Sequence, residues 1–270
     1  MFGNNCAFYG NLAMRFVILS FLFLLTLPAV YLPPAWAGPP FVTDDPEPVE
    51  YRHWEIYAAS QYLNESEGVQ FTAPHVEVNY GVIPNVQLHL IAPVLFAKPR
   101  GEGSSYGPGD VEIGVKYRFA DESRLLPQAG IFPLVELPSG DRERNLGSGD
   151  IQTFLPIWLQ KSFGNFTTYG GGGYWINPGA GNKNYWLLGW EAQDDLSEAL
   201  TLGGEIFHYT ASTVEGGDRT GFNAGGIINI DDHNHILFSA GTDIHGPTLF
   251  SMYIAYQLTF GPPGLLSIKP

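Results

Sequence analysis

The stretch from Gly107 to Phe119 reads GPGDVEIGVKYRF. As a glycine-rich loop followed by a lysine it would cradle a phosphate; as a turn feeding a β-strand it would build a wall with two different faces. Parity decides. Val111, Ile113, Val115, Tyr117 and Phe119 fall on one side of a period of two, and Asp110, Glu112, Gly114, Lys116 and Arg118 on the other. Successive strand side chains point to opposite faces, so the segment predicts a strand with one apolar and one polar face. A nucleotide loop needs G-x-x-x-x-G-K-[ST] or G-x-G-x-x-G running into a helix, and here a strand follows.

The period persists along the chain. In Ser251–Phe260 the apolar parity is Met252, Ile254, Tyr256, Leu258 and Phe260; in Val86–Phe96 it is Val86, Leu88, Leu90, Ala92, Val94 and Phe96. Twelve such segments are expected, at 51–63, 69–80, 85–96, 110–120, 126–137, 149–161, 165–176, 183–193, 199–210, 219–230, 234–243 and 248–260. Most match the roughly 9–11 residues that a tilted strand needs to cross a bilayer. The predicted fold is all-β: a closed, antiparallel, up-and-down transmembrane barrel of about 12 strands over residues 51–260. Pro74, Pro93, Pro133 and Pro156 oppose this, because proline donates nothing to a ladder; they are expected at bulges or strand ends.

Composition agrees. Charged residues are 15% of the chain, below the roughly 25% of soluble domains, and aromatics reach 14%, several of them near strand ends where an interfacial girdle would sit. Residues 16–32 are almost wholly apolar, preceded by Arg15 and followed by Ala35-Trp36-Ala37. That layout predicts a secretory signal peptide over 1–37, with a leader at 38–50 and a C-terminal extension at 261–270. The only cysteine, Cys6, leaves with the signal. The formal net charge of −14 makes nucleic acid an unsuitable partner. The expected location is the outer membrane of a Gram-negative cell, and the expected partners are outer-membrane lipid with lipopolysaccharide, the barrel assembly machinery and a small-molecule substrate. No cofactor, metal or catalytic residue is expected.

The opening motif has echoes. Gly107, Gly109 and Asp110 are repeated by Gly147, Gly149 and Asp150, and by Gly179, Gly181 and Asn182. Each set precedes an even-numbered strand, so together they are expected to mark re-entry turns at the extracellular rim, where loops run longer. By parity, the lumen is expected to carry His53, Glu55, Tyr57, Gln61, His75, Glu77, Asn79, Gln87, His89, Glu112, Lys116, Arg118, Gln152, Gln160 and Glu205. The leader, with Asp44, Asp45, Glu47 and Glu50, is placed to plug the periplasmic mouth.

The series GPPFVTDDPEPVEYRHWEIY, TAPHVEVNYGVIPNVQLHL, GPGDVEIGVKYRF and ELPSGDRERNLGSGD, spread in order over most of 38–260, resembles the MetA-pathway phenol-degradation family of bacterial outer-membrane proteins. The resemblance implies an outer-membrane barrel passing small aromatic or other hydrophobic molecules, and it brings no catalytic residues. Two alternatives stay open. One is an outer-membrane hydrolase, prompted by Asp231-Asp232-His233-Asn234-His235 and by Asp243 with His245. The other is a soluble periplasmic ligand-binding barrel with the apolar parity inside.

Overall fold

The computed structural model describes residues 39–262. The expected signal peptide and most of the C-terminal extension lie outside the described residues. Fourteen strand segments form one antiparallel sheet: β1 (Trp54–Glu65), β2 (Gly68–Ile83), β3 (Val86–Pro99), β4 (Ser105–Pro108), β5 (Val111–Ala120), β6 (Gln128–Ile131), β7 (Leu134–Leu137), β8 (Gln152–Phe163), β9 (Phe166–Ile176), β10 (Tyr185–Ser197), β11 (Leu200–Tyr209), β12 (Arg219–Asn229), β13 (Asn234–His245) and β14 (Thr248–Phe260). β4 and β5 both pair with β3. β6 and β7 both pair with β5 and with β8. Each couple is one wall strand with an interruption, so the wall has 12 strands. β1 pairs with β14 from Trp54↔Phe260 to Glu65↔Thr248 and closes the barrel.

Orientation separates the membrane barrel from the soluble one. Ile113 and Val115 are 42% and 41% exposed on the outer face, while Glu112 and Lys116 are 4% and 6% exposed. The same holds around the wall: Leu88, Leu90, Leu155, Ile157, Trp186, Leu188, Trp190, Ile206, Phe222 and Ile254 all face outward. A water-facing surface of this kind would be an aggregation liability; a lipid-facing one is what a spanning barrel requires. At the rim bearing the termini, Trp54 stacks on Tyr80 with ring centroids 4.3 Å apart and on Phe260 at 6.4 Å. Such amphipathic rings suit the headgroup level.

Three of the four prolines sit where the ladder is already broken. Pro74 lies at a bulge in β2, between Thr72 and His75, and Pro93 faces it across the pair His75↔Pro93. Pro133 occupies the interruption between β6 and β7. Pro156 departs from expectation, for it lies inside β8 opposite Gly173. Its other side is bounded by the pairs Ile131↔Ile157 and Leu134↔Phe154, so it borders the gap that Pro133 opens.

The opening motif needs correction. The turn into the fourth wall strand is at 100–104, and Gly107 lies within β4. Gly109 and Asp110 form the interruption between β4 and β5, where Ala92 and Pro93 of β3 stand opposite three residues, Gly109, Asp110 and Val111. One extra residue makes a bulge and swaps the inward parity: Gly107 and Gly109 are buried above it, Glu112 and Lys116 below it. A glycine-proline-glycine run carries no side-chain alternation, so the period could not reveal this piece of strand. The 177–184 connection does hold Gly179 and Gly181 with φ of 121° and 83°, values that favour glycine. Gly149, with φ of 79°, and Asp150 lie in the 138–151 loop.

The outward wall generates a test. Ile113→Arg should weaken folding into lipid vesicles by roughly 2–4 kcal/mol, the cost of a cation near the bilayer midplane. Leu125→Arg, in the 121–127 turn where the leucine is 87% exposed, should cost less than about 1 kcal/mol. Denaturant titration of both variants checks this, and equal losses would contradict a lipid-facing Ile113.

Candidate functional site

The lumen is filled from two sides. On one flank, inward residues of β6 to β11 and the interruption beside them form an apolar cluster that includes Phe132, Leu134, Phe154, Trp158, Trp175, Tyr185, Leu187, Phe207 and Tyr209. Phe154 stacks on Trp175 at 4.8 Å, and Trp175 on Tyr185 at 5.9 Å. Gly173 makes room, since a Cβ there would lie 2.5 Å from the Phe154 ring. Parity reading missed this half. Its signal was present in 149–161, where Ile151, Leu155, Ile157 and Leu159 on one face oppose Phe154, Pro156 and Trp158 on the other. A strand apolar on both faces has no face that wants water, and here one face is turned outward while the other is packed in the lumen.

Across the lumen from that flank, with Val42 joining its cluster, lies the leader. Residues 39–50 run inside the barrel, with Phe41, Val42, Thr43 and Asp44 at 2% exposure or less. Their backbone makes few ladder contacts, so side chains of the wall satisfy it. Glu205 accepts from Val42 N at 2.8 Å and from Thr43 N at 2.7 Å, and is held in turn by Asn223 Nδ2 at 2.6 Å. Gln87 Oε1 accepts from Val49 N at 2.9 Å, and the Ser239 hydroxyl donates to Pro40 O. Lys116 Nζ donates to Asp44 Oδ1 at 3.0 Å and lies 3.5 Å from Asp45. Burial pushes the Asp44 carboxyl up, and the Lys116 ammonium opposes that shift. Glycines shape the seat: a Cβ at Gly189 would meet Thr43 Oγ1 at 2.2 Å, and one at Gly130 would meet Pro46 at 3.0 Å.

Beside the leader is a polar cavity of about 340 Å³, bounded by Asp44, Asp45, Glu47, Glu55, Tyr57, Glu77, Asn79, Gln87, His89, Glu112, Lys116 and Gln257 among others. A buried chain of hydrogen bonds lines it. His89 Nε2 contacts Glu112 Oε1 at 3.1 Å, His89 Nδ1 contacts Asn79 Oδ1 at 2.7 Å, and Asn79 Nδ2 donates to Glu77 Oε1 at 2.8 Å. Gln257 donates to the Tyr57 hydroxyl, which donates to Glu55. A second cavity of about 130 Å³ lies toward the far rim and shares only Ile91 and Glu112 with the first. It has apolar walls and is bounded above by the 138–151 loop, through Asn145 to Ser148. Pro39, Pro40 and Phe41 border a small void beside His75, which also lines this second cavity. The inner end of the leader therefore stands between the two spaces.

The structure thus places Glu55, Tyr57, Glu77, Asn79, Gln87, His89, Glu112 and Lys116 around the polar cavity. His75 and Gln61 line the cavity near the far rim, and Glu205 sits under the leader. Gln152 donates to Asn177, and Gln160 to Glu47. Two expected lumen residues lie at the terminal rim instead. His53 precedes β1 and contacts Tyr51 O; Arg118 spans Asn85, Gln128 and Asp121 across the barrel's end. Residues that parity reading did not select include Glu191, fully buried, and the leader's anchor Asn223.

The hydrolase candidates are turn builders. Asp231 Oδ1 accepts from His233 N, Asn234 N and Asn234 Nδ2; these bonds, led by the His233 amide, hold its carboxyl below the usual range. Asp243 Oδ2 accepts from Thr248 N across the tight 246–247 turn. His235 Nδ1 contacts Asn229 Oδ1 at 2.8 Å beside the Asp231 turn.

No protein-family model matches the sequence, and no curated protein matches it. Among solved structures, the chain is similar to the COG4313 outer membrane channel from Pseudomonas putida F1, with 14% identity, a TM-score of 0.63, and coverage of 80% of this chain and 98% of that one. It also aligns with the translocator domain of the autotransporter NalP from Neisseria meningitidis, at 11% identity and a TM-score of 0.48, over 78% and 90% of the two chains. The first likeness shows the fold: an outer-membrane-type barrel with 12 strands. The second is too distant to add weight.

The leader's seat can be tested through Lys116. Lys116→Met leaves the Asp44 carboxylate buried without its cation, and breaking a buried pair in this way costs roughly 3–5 kcal/mol. The expected result is protease cleavage within 39–50 in folded barrels whose heat-modifiable gel mobility is unchanged, where the unsubstituted chain is protected. Equal protection in both would show that the pair does not hold the leader.

Proposed function

We propose that the protein is an outer-membrane channel for passive passage of small molecules, with its leader as the removable obstruction. The observation that carries this reading is the arrangement of the lumen. Two cavities of different chemistry lie within one closed wall, and between them stands a segment anchored by side chains rather than by strand pairing. A barrel of 12 strands lies between small barrels packed shut and the 16–18-stranded porins with open channels, so inserted segments decide whether it conducts.

The MetA-pathway resemblance and the channel fold of the P. putida protein favour the same class. The resemblance alone points further, to small aromatic or hydrophobic substrates. On this reading the chain is exported through a cleaved segment ending near Ala37 and folded by the barrel assembly machinery. The rim with the termini then faces the periplasm, and the longer loops face lipopolysaccharide.

Deletion of residues 38–48 tests the proposal. Planar-bilayer recordings should show higher single-channel conductance for the deletion than for the full leader, and liposomes carrying it should take up phenols and alkanes ahead of sugars. Unchanged conductance would sink the channel reading.

A further inference from the structure

Glu191 and Glu205 are register partners on β10 and β11, and both are turned into the lumen and buried. Residues directly opposite in an antiparallel pair have Cβ atoms about 4.5–5.5 Å apart, and like charges placed there oppose each other. The two carboxyls are treated differently. Glu205 accepts from Val42 N, Thr43 N and Asn223 Nδ2, so three donors support its charge. Glu191 is 0% exposed, and neither of its oxygens has a hydrogen-bond partner. Its carboxyl nevertheless has a place kept for it: a Cβ at Gly203 would lie 2.3 Å from Glu191 Oε1.

The elements packed around Glu191 bring it no cation. Its register partner on β9 is Tyr169, a buried phenol, and Gln160 of β8 stands beyond that. The charges that act on Glu191 are those of Glu205 on β11 and Asp45 of the leader, both negative. Lys116 of β5 is bonded to Asp44 at 3.0 Å and lies 3.5 Å from Asp45. A buried carboxylate with no donor and two like charges beside it is costly, and such a group takes a proton instead. The leader creates this isolation. Thr43 Oγ1 lies 2.2 Å from where a Cβ of Gly189 would stand, two residues before Glu191 on the same face. Val42 and Thr43 are fixed on Glu205 opposite. With the leader away, both carboxyls front the lumen and water can solvate them.

We propose that Glu191 is a proton-binding site that couples the leader to pH. It holds one proton while the leader covers it. Loss of that proton to lumen water sets a second negative charge against Glu205 and Asp45 and drives the leader from its seat. Seating takes up a proton, so acid favours the seated leader and rising pH opposes it. The site deepens the channel reading and rests on it only for the consequence to conduction.

The test follows protease cleavage within 39–50 on the full chain folded in detergent, from about pH 5 to about pH 9, above the ordinary carboxylate range. Rates are taken relative to the unfolded chain, which removes the protease's own pH dependence. Relative cleavage should rise with pH by at most about tenfold per unit, the limit for a single proton, with heat-modifiable gel mobility unchanged. Glu191→Gln is uncharged throughout and should stay protected and flat in pH. Infrared difference spectra supply a second measurement that needs no substitution. The carbonyl band of a protonated carboxyl should fade as the leader becomes cleavable, and in the 38–48 deletion it should fade at lower pH. Protection independent of pH in the unsubstituted chain would overturn the proposal. So would the same pH dependence in Glu191→Gln, or a carboxyl band indifferent to the deletion. Unchanged conductance in the leader deletion beside pH-dependent protection would remove the channel and keep the proton site; raised conductance with protection flat in pH would do the reverse.

Discussion

The structure depends on ring closure in a medium that cannot hydrogen-bond. In lipid, an unpaired backbone amide or carbonyl costs several kcal/mol, so a sheet survives only if its first and last strands meet. Here β1 and β14 pair over the full length of β1, and outward side chains can then be apolar without exception of principle. Where the wall falters, side chains mend it. Between β4 and β5 the Ser139 hydroxyl donates to Gly109 O and accepts from Val111 N. The Asp110 carboxylate next to it takes the Gly140 and Ser148 amides. The 138–151 loop thus completes the barrel beside β4, which has a strand partner on one side only. The aspartate of the opening motif is a patch in the wall.

The two fillings of the lumen are held by different physics. The aromatic flank is a packed core in which removing a ring leaves a cavity, and large-to-small changes there cost about 3–5 kcal/mol. The leader is held by Lys116 against Asp44 and Asp45, by a handful of hydrogen bonds to wall side chains, and by Val42, which packs into the edge of the aromatic cluster. A buried ion pair repays little more than its own desolvation, so this segment can leave without loss to the ladder.

Much of this was legible in the sequence, and the failures have physical causes. The strands at 110–120 and 248–260 were plain because one parity is apolar over most of its length while the other is largely polar or small. The β4 segment was hidden because Gly107, Pro108 and Gly109 offer no alternation, and the bulge then exchanged the inward parity, so Gly107 and Gly109 read as a rim turn. His53 and Arg118 were placed in the lumen because parity gives the face of a residue but not its height along the strand. The aromatic flank was overlooked because alternation is silent where both faces are apolar. The polar network around His89 was legible residue by residue, though its connectivity was not. Gln70 and Glu136 come from strands far apart in the chain, and only the closed wall makes both line one cavity with His75.

The order of the two spaces follows from that wall. Near the far rim the inward residues of β1 to β3 include Leu63, Ile91, Pro93 and Leu95 beside Gln61, Gln70 and His75, and deeper in they are Glu55, Tyr57, Glu77, Asn79, Gln87 and His89. A partly apolar molecule gains most where water is scarce, and it loses that gain on entering a roomier space already lined with hydrogen-bonding groups. Weak retention followed by release into a hydrated chamber suits passage, since conduction needs binding strong enough to enter and weak enough to leave. The leader stands at the boundary between the two, where a small displacement of Pro39 to Phe41 affects both.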